Sequence, residues 1–214
     1  MSTYENLQKL VCKIENCLKC YKEFKNYQEV RIEIRHWYNK GPWFFPPYRE
    51  VKGFFGTGKV VFICERPSTG TFPSKADELF YDLIKRYELE DAHITDLIKC
   101  RLKDNEKGKT KNKKEADESF NFYASKCFTH LLEELEILKP TLIVAVSEKV
   151  RKYLKEHLPQ AYKDNLFENS MTHYSYACRY KKEEKLEEDF KSVKKWISQH
   201  NVKHTRAASS LSHR

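Results

Sequence analysis

Lys59-Val-Val-Phe-Ile-Cys-Glu-Arg-Pro-Ser68 is the stretch that decides the fold. Four apolar residues in a row, opened by a lysine and closed by Pro67 and Ser68, have the pattern of a parallel strand buried on both faces. The strand runs into a polar turn that carries one acid, Glu65. In open α/β sheets, ligands bind just past the carboxyl ends of the strands. Glu65 therefore stands where chemistry is usually done. The pattern alone also suits a capping or surface glutamate, which is the commoner use of such a residue.

Downstream, Ser74 is placed to cap a helix from Lys75 to about Tyr87, with Asp77 three residues on. That helix turns Leu79, Phe80, Leu83 and Ile84 inward. His93-Ile-Thr-Asp-Leu-Ile-Lys-Cys100 reads as a second buried strand with Asp96 and Cys100 near its end. Glu115 to Leu138 reads as a long helix carrying Cys127 and stopped by Pro140. Thr141 to Val146 is a third buried strand, and Ser147 caps the helix after it. A fourth strand or turn is expected around Met171 to Tyr176, and a last helix from Glu183 to Gln199.

Upstream, Leu7, Leu10, Val11, Ile14 and Leu18 recur at helical spacing, with Cys17 and Cys20 at that helix's end. Residues 27–37 alternate Val30, Ile32 and Ile34 with charges, the pattern of a half-exposed strand or hairpin arm. Residues 37–55 crowd aromatic side chains among Gly41, Pro42, Pro46 and Pro47. Such a loop either lines a pocket and stacks on bases or forms a small aromatic core. Strands alternating with helices predict an α/β chain: a single-domain, three-layer α/β/α fold with a mainly parallel central sheet. The domain is expected over residues 1–202, with an aromatic-rich insertion at 21–55 and a basic loop at 101–114. Residues 203–214 are expected to be a disordered tail.

The 214 residues are 40% hydrophobic and 33% charged, and no apolar run reaches the length of a membrane span. The start, Met1-Ser-Thr-Tyr-Glu-Asn, lacks the basic-then-apolar layout of a secretory leader, which points to the cytoplasm. A net charge of +9 favours polyanionic partners, nucleic acid first. Residues 99–114 hold eight of the Lys and Arg residues, a solvated loop that either solubilises or tracks phosphates. Seven cysteines, an odd number without an export signal, argue against a disulfide framework. Cys17-Leu-Lys-Cys20 has a spacing that suits two thiolates on one metal, and equally a redox pair.

Taken in order, these residues resemble the uracil-DNA glycosylase superfamily, and within it the iron–sulfur members often called family 4. Those proteins open with a C-x-x-C, matched by Cys17 and Cys20, and place a G-x-G before the first strand, matched by Gly56-Thr-Gly58. Their Gly-Glu-Ala-Pro-Gly is similar to Cys64-Glu-Arg-Pro-Ser68, and their Pro-Phe-Val-Gly to Thr71-Phe72-Pro73. Their Ile-Thr-Asn-x-x-Lys-Cys-Arg becomes Ile94-Thr-Asp-Leu-Ile-Lys-Cys-Arg101. A helical Cys followed by Lys-Pro-x-x-Ile-Val-Ala is matched by Cys127 and Lys139 to Ala145. Their closing His-Pro-Ser-Tyr-Leu-Leu-Arg is matched by His173-Tyr-Ser-Tyr-Ala-Cys-Arg179. The resemblance covers roughly residues 10–200 and keeps motif order.

The resemblance implies a 4Fe–4S cluster on Cys17, Cys20, Cys100 and Cys127, with a structural role. Four Cys also suit zinc, and Cys12 is an alternative ligand. It implies a protein that binds DNA and flips out a base to reach its glycosidic bond; a monomer is expected. Glu65 is expected to stabilise the sugar cation and orient water, and His173 to hydrogen-bond the base O2 and stabilise the leaving anion. Phe72 would stack on the base. Arg179 and the basic loop, with Lys107, Lys109 and Lys111, would hold phosphates.

Asp96 departs from the family's Asn, whose amide donates to uracil O4 and accepts from N3–H. An ionised Asp only accepts, which disfavours uracil and suits the N4 amino group of cytosine. Excising ordinary cytosine would destroy the host genome. A cytosine marked at C5, such as the glucosylated 5-hydroxymethylcytosine of phage DNA, is the expected substrate, with an antiviral role. The long aromatic insertion fits a bulky substituent. Two other readings stand beside it: an ordinary uracil-DNA glycosylase of base-excision repair, and a non-catalytic iron–sulfur nucleic-acid-binding protein. The last draws on Cys64, Arg66 and Ser68, bulkier than the family's residues around Glu65.

Overall fold

Three parallel strands in the order β2-β1-β3 form the centre of the structure. It is a computed structural model that describes residues 1–17, 19–20, 42–68, 70–100 and 113–210, with side chains left out at 113 and 201–210. β1 (Val60–Cys64) lies in the middle, paired with β2 (His93–Asp96) and β3 (Leu142–Ala145). A strand between two neighbours is covered on both faces, which is why its sequence is an unbroken apolar run. Phe62 and Cys64 face one layer, and Val61 and Ile63 face the other.

The first layer holds α2 (Lys75–Arg86), α6 (Tyr174–Tyr180) and α7 (Glu183–Ser210). It packs Phe80, Tyr81, Tyr174, Leu186 and Phe190 against Phe62. The second holds α1 (Thr3–Glu15), α3 (Lys113–Leu138) and α4 (Glu148–His157), which bring Leu7, Leu131 and Leu154 against Val61 and Ile63. A short helix, α5 (Gln160–Lys163), follows α4. The layers are those expected of a three-layer α/β domain.

Local signals in the sequence act as expected at α2 and α4. The Ser74 Oγ accepts from the Asp77 N–H and the Asp77 carboxylate accepts from the Ser74 N–H, a complete capping box. Ser147 caps α4 through the Val150 N–H. Gly56 and Gly58 let the chain run against the backbone of residues 91 and 92, where any Cβ would collide.

Of the strand or turn expected at Met171 to Tyr176, the structure forms the turn: Met171 makes a single parallel bridge to Val146, and α6 then starts with His173 as its cap. Three expectations are corrected. α7 continues past Gln199 to Ser210, entering the stretch expected as a disordered tail; residues 183–210 contain no proline or glycine to stop it. α3 starts at Lys113, so the last two basic residues of the expected loop are helical. Lys99, read as part of a solvated loop, is buried. The described part of the aromatic insertion, 42–55, buries Phe45, Val51 and Phe54, so much of it is core; residues 21–41 lie outside the described residues.

Candidate functional site

β1 and β2 end side by side, and their ends are laced together. Leu97 N–H donates to Cys64 O at 2.9 Å and Ile98 N–H to Glu65 O at 3.1 Å. Glu65, in the turn after β1, keeps 26% of its side chain exposed and lies 3.5 Å from Arg66 Nε. Asp96 is the Cα partner of Cys64 across the strand pair. Partners in register share a face, so Asp96 sits on the α2/α6 side with Cys64 and is 2% exposed.

Electrostatics show what gathers there. Burial pushes the Cys64 thiol well up, and the charges of Asp96 and Asp77 push it further. Tyr81 and Tyr174 are raised first by burial, then by the same two acids and by Cys64. Cys64, Asp77, Tyr81, Asp96 and Tyr174 therefore form one buried group beneath the strand ends. Phe72, half-buried, meets Trp43, Tyr48 and Tyr81 with ring centroids 5.9, 5.6 and 5.7 Å away. Tyr81 Oη–H donates to Pro46 O at 2.7 Å, fastening α2 to the aromatic segment.

His173 joins this end of the sheet from the chain's last third. Its Nδ1 accepts the Ser175 N–H at 3.2 Å as the cap of α6. An accepting Nδ1 carries no proton, so the neutral ring holds its hydrogen on Nε2. Burial lowers the His173 pKa, opposed by the charges of Glu65 and Asp77, which places the ring in electrostatic reach of both acids. The ring stacks on Tyr174 at 4.6 Å, and Tyr174 stacks on Phe80 at 4.7 Å. Arg179 is exposed on the last turn of α6. The structure thus brings Glu65, Phe72, Asp96 and His173 to one end of the sheet. Lys107, Lys109 and Lys111 lie outside the described residues.

The four cysteines expected as ligands also converge. Cys17 and Cys20 follow the C-cap of α1, Cys127 is buried on α3, and Cys100 is buried where it bridges Pro42. Cys20 shares a hydrogen bond with Cys127, and it feels Cys100 and Cys17 as well; this contact, with burial, raises Cys20. The same hydrogen bond lowers Cys127 to about 7, helped by the Lys99 N–H, which reaches its Sγ at 3.5 Å. Cys12 is exposed, apart from this set. Among the described residues no group of three or more His, Cys, Asp or Glu is arranged to hold a metal ion. By donor type alone, four thiols suit an iron–sulfur cluster or zinc.

One set of residues was not legible in the sequence. On the opposite face of β2, Lys99 Nζ lies 2.6 Å from both Glu134 Oε1 and Thr95 Oγ1. His93 Nε2 lies 3.3 Å from Glu134 Oε2, and His130 is buried one turn from Glu134. The signal was available as spacing: Cys127, His130 and Glu134 recur on the inward stripe of α3.

Among the described residues no helix is long and apolar enough to cross a membrane. A comparison with curated proteins finds no match. A family model described as the uracil DNA glycosylase superfamily matches residues 54–197. Proteins of that superfamily are DNA glycosylases, and some carry iron–sulfur clusters. The match takes in Glu65, Phe72, Asp96, Cys100, Cys127, His173 and Arg179. With two thirds of its length under one family description, the chain belongs to the uracil DNA glycosylase superfamily.

Proposed function

We propose that this chain is a DNA glycosylase that excises a C5-modified cytosine, such as the glucosylated 5-hydroxymethylcytosine of phage DNA, as an antiviral defence. The observation that carries the reading is the buried carboxylate of Asp96, on the face of the sheet that also holds Phe72 and His173. A carboxylate that only accepts hydrogen bonds selects an N4 amino group over a carbonyl at O4. Restriction to a marked base follows because unmarked cytosine fills the host's own DNA.

In this reading the flipped base stacks on Phe72, whose ring is held by Trp43, Tyr48 and Tyr81. The C1′–N1 bond breaks with its electron pair going to the base. His173 Nε2–H donates to the base O2, where the charge develops. Glu65 stabilises the sugar cation and orients the water; the water oxygen bonds to C1′ and its proton passes to Glu65. Arg179, with Lys107, Lys109 and Lys111, holds phosphates. Cys17, Cys20, Cys100 and Cys127 would hold a 4Fe–4S cluster, and their places in the turn after α1, in the segment after β2 and on α3 would let it serve as a structural crosslink.

The test is base release from oligonucleotides bearing uracil, cytosine, 5-methylcytosine, 5-hydroxymethylcytosine or its glucosylated form, with alkaline cleavage to reveal abasic sites. Cutting only at a modified cytosine is expected. Cutting at uracil makes the chain a base-excision repair enzyme. Binding without any cutting makes it a non-catalytic module, a reading favoured by the proximity of Arg66 to Glu65.

A further inference from the structure

Thr172 and His173 connect the bridge at Met171 to the first turn of α6, and three elements hold them. Met171 N–H donates to Ala145 O at 2.8 Å, which ties the segment to the end of β3. Ser175 N–H donates to His173 Nδ1 and Ala177 N–H to His173 O, which tie it to α6. The third tie comes from α7. Thr172 N–H donates to Asp189 Oδ2 at 2.6 Å, shortened as hydrogen bonds to an ionised acceptor are.

Among the described residues the Asp189 carboxylate makes this bond and no other. Asp189 is half-buried and falls beside Leu186, Phe190 and Val193, the buried stripe of α7. Lys185 stands one turn earlier on the same helix, yet among the described residues no cation pairs with Asp189. A carboxylate on an inward stripe needs a donor. The backbone N–H of a residue outside any helix or strand needs an acceptor. Each supplies the other.

The bond bears on His173 through the backbone. The charges that act on the ring are those of Glu65 and Asp77, not of Asp189. Fixing the Thr172 peptide unit fixes where the next residue begins. A His173 φ of −65° and ψ of 127° then bring Nδ1 onto the Ser175 N–H. With Nδ1 accepting, the hydrogen lies on Nε2, so the outer nitrogen donates. A ring released from that N–H populates both tautomers, and in the other one Nε2 turns a lone pair outward.

We propose that Asp189 is a positioning residue for His173: by accepting the Thr172 N–H it holds the ring in the tautomer that donates from Nε2. The inference rests on the role given to His173 above.

The experiment uses the full chain, labelled with ¹⁵N, as wild type, Asp189→Leu and Asp189→Asn. Nitrogen–proton correlation spectra read the tautomer, with His173→Gln identifying the signal, and hydrogen exchange reads the Thr172 amide. The wild type is expected to show the Nε2–H tautomer alone and a protected Thr172 amide, two readouts that need no variant to fold. The leucine variant is expected to mix the tautomers. On the oligonucleotide that the wild type cuts, it is expected to lose up to about 10²-fold in kcat with KM little changed. The asparagine variant keeps an acceptor oxygen and is expected to hold the wild-type tautomer. An unprotected Thr172 amide, or a wild-type ring with its hydrogen on Nδ1, overturns the proposal. So does a leucine variant that keeps the wild-type tautomer, or an asparagine variant as impaired as the leucine one. A wild type that shows the expected tautomer but releases no base overturns the catalytic role of His173, a different and separately visible failure.

Discussion

Replacing Lys99 by methionine keeps the length of the side chain and removes its charge. The ammonium it removes lies 2.6 Å from Glu134 Oε1, and the two side chains are 1% and 0% exposed. Deleting one partner of a buried ion pair costs about 3–5 kcal/mol, because the other charge stays buried without compensation. The Thr95 hydroxyl loses its partner too. Domain stabilities run to roughly 5–15 kcal/mol, so the variant is expected to fold and to be measurably weak. Pairing Lys99→Met with Glu134→Leu removes both charges and leaves His93 and Thr95 without these partners, a loss of about 1–3 kcal/mol for each, the Thr95 loss being shared with the single variant.

The double variant is therefore expected to be more stable than the single one. Urea unfolding followed by far-UV circular dichroism, at constant slope, measures both. Burial pushes the Glu134 carboxyl up, and Lys99 and His93 pull it below its usual range. Without Lys99 the burial effect dominates and the folded chain binds a proton that the unfolded chain releases above about pH 4.3. The single variant is then closest to wild type at pH 5.5 and furthest from it at pH 8. A Lys99→Met loss below about 1 kcal/mol, or single losses that simply add in the double variant, refutes the claim of a dry ion pair.

Three further outcomes are expected. Asp96→Asn exchanges an acceptor-only group for an amide; each mismatched buried contact is worth about 1–3 kcal/mol. Counting one gain for uracil and one loss for cytosine, the kcat/KM ratio should move toward uracil by roughly 30-fold to 10⁴-fold, and an unmoved ratio in competition assays sinks the Asp96 argument. His173 has a folded pKa below its unfolded one, so the unfolded chain binds the extra proton on acidification. Stability from this group is present above about pH 6.5 and lost as pH falls below it; His173→Gln should flatten that fall in urea midpoints taken at pH 7 and pH 5. Ser74→Ala removes the cap of α2 and should cost about 1 kcal/mol in thermal or urea unfolding, with no loss of cap satisfied only by finding no change.

The parts of the fold that could be read were those where one local signal decides the matter. Val60 to Ile63 has only one use, a strand covered on both sides, and Ser74 with Asp77 has only one, a helix start. The places of Glu65 and Asp96 at the strand ends were legible from the apolar runs before them, and the register puts Asp96 on the face of Cys64. His173 was singled out by its motif alone, and its capping role escaped notice because a histidine is a rare helix cap. Lys99, Glu134 and His130 were missed for a different reason. Each is a residue type that belongs on surfaces, and only the partner on a distant segment makes its burial tolerable. No window of sequence contains both partners.

The order β2-β1-β3 has a consequence in time. β1 pairs with a strand about thirty residues later on one side and about eighty on the other, and His173 arrives only after both. Contacts so distant along the chain form late and slow the search for the native state. A nascent chain that has emerged through Asp96 carries Glu65, Phe72 and Asp96 yet has no third strand to fix them and no imidazole beside them. Chain synthesis itself thus acts as a timer: the end of the sheet is assembled only once α6 has been made.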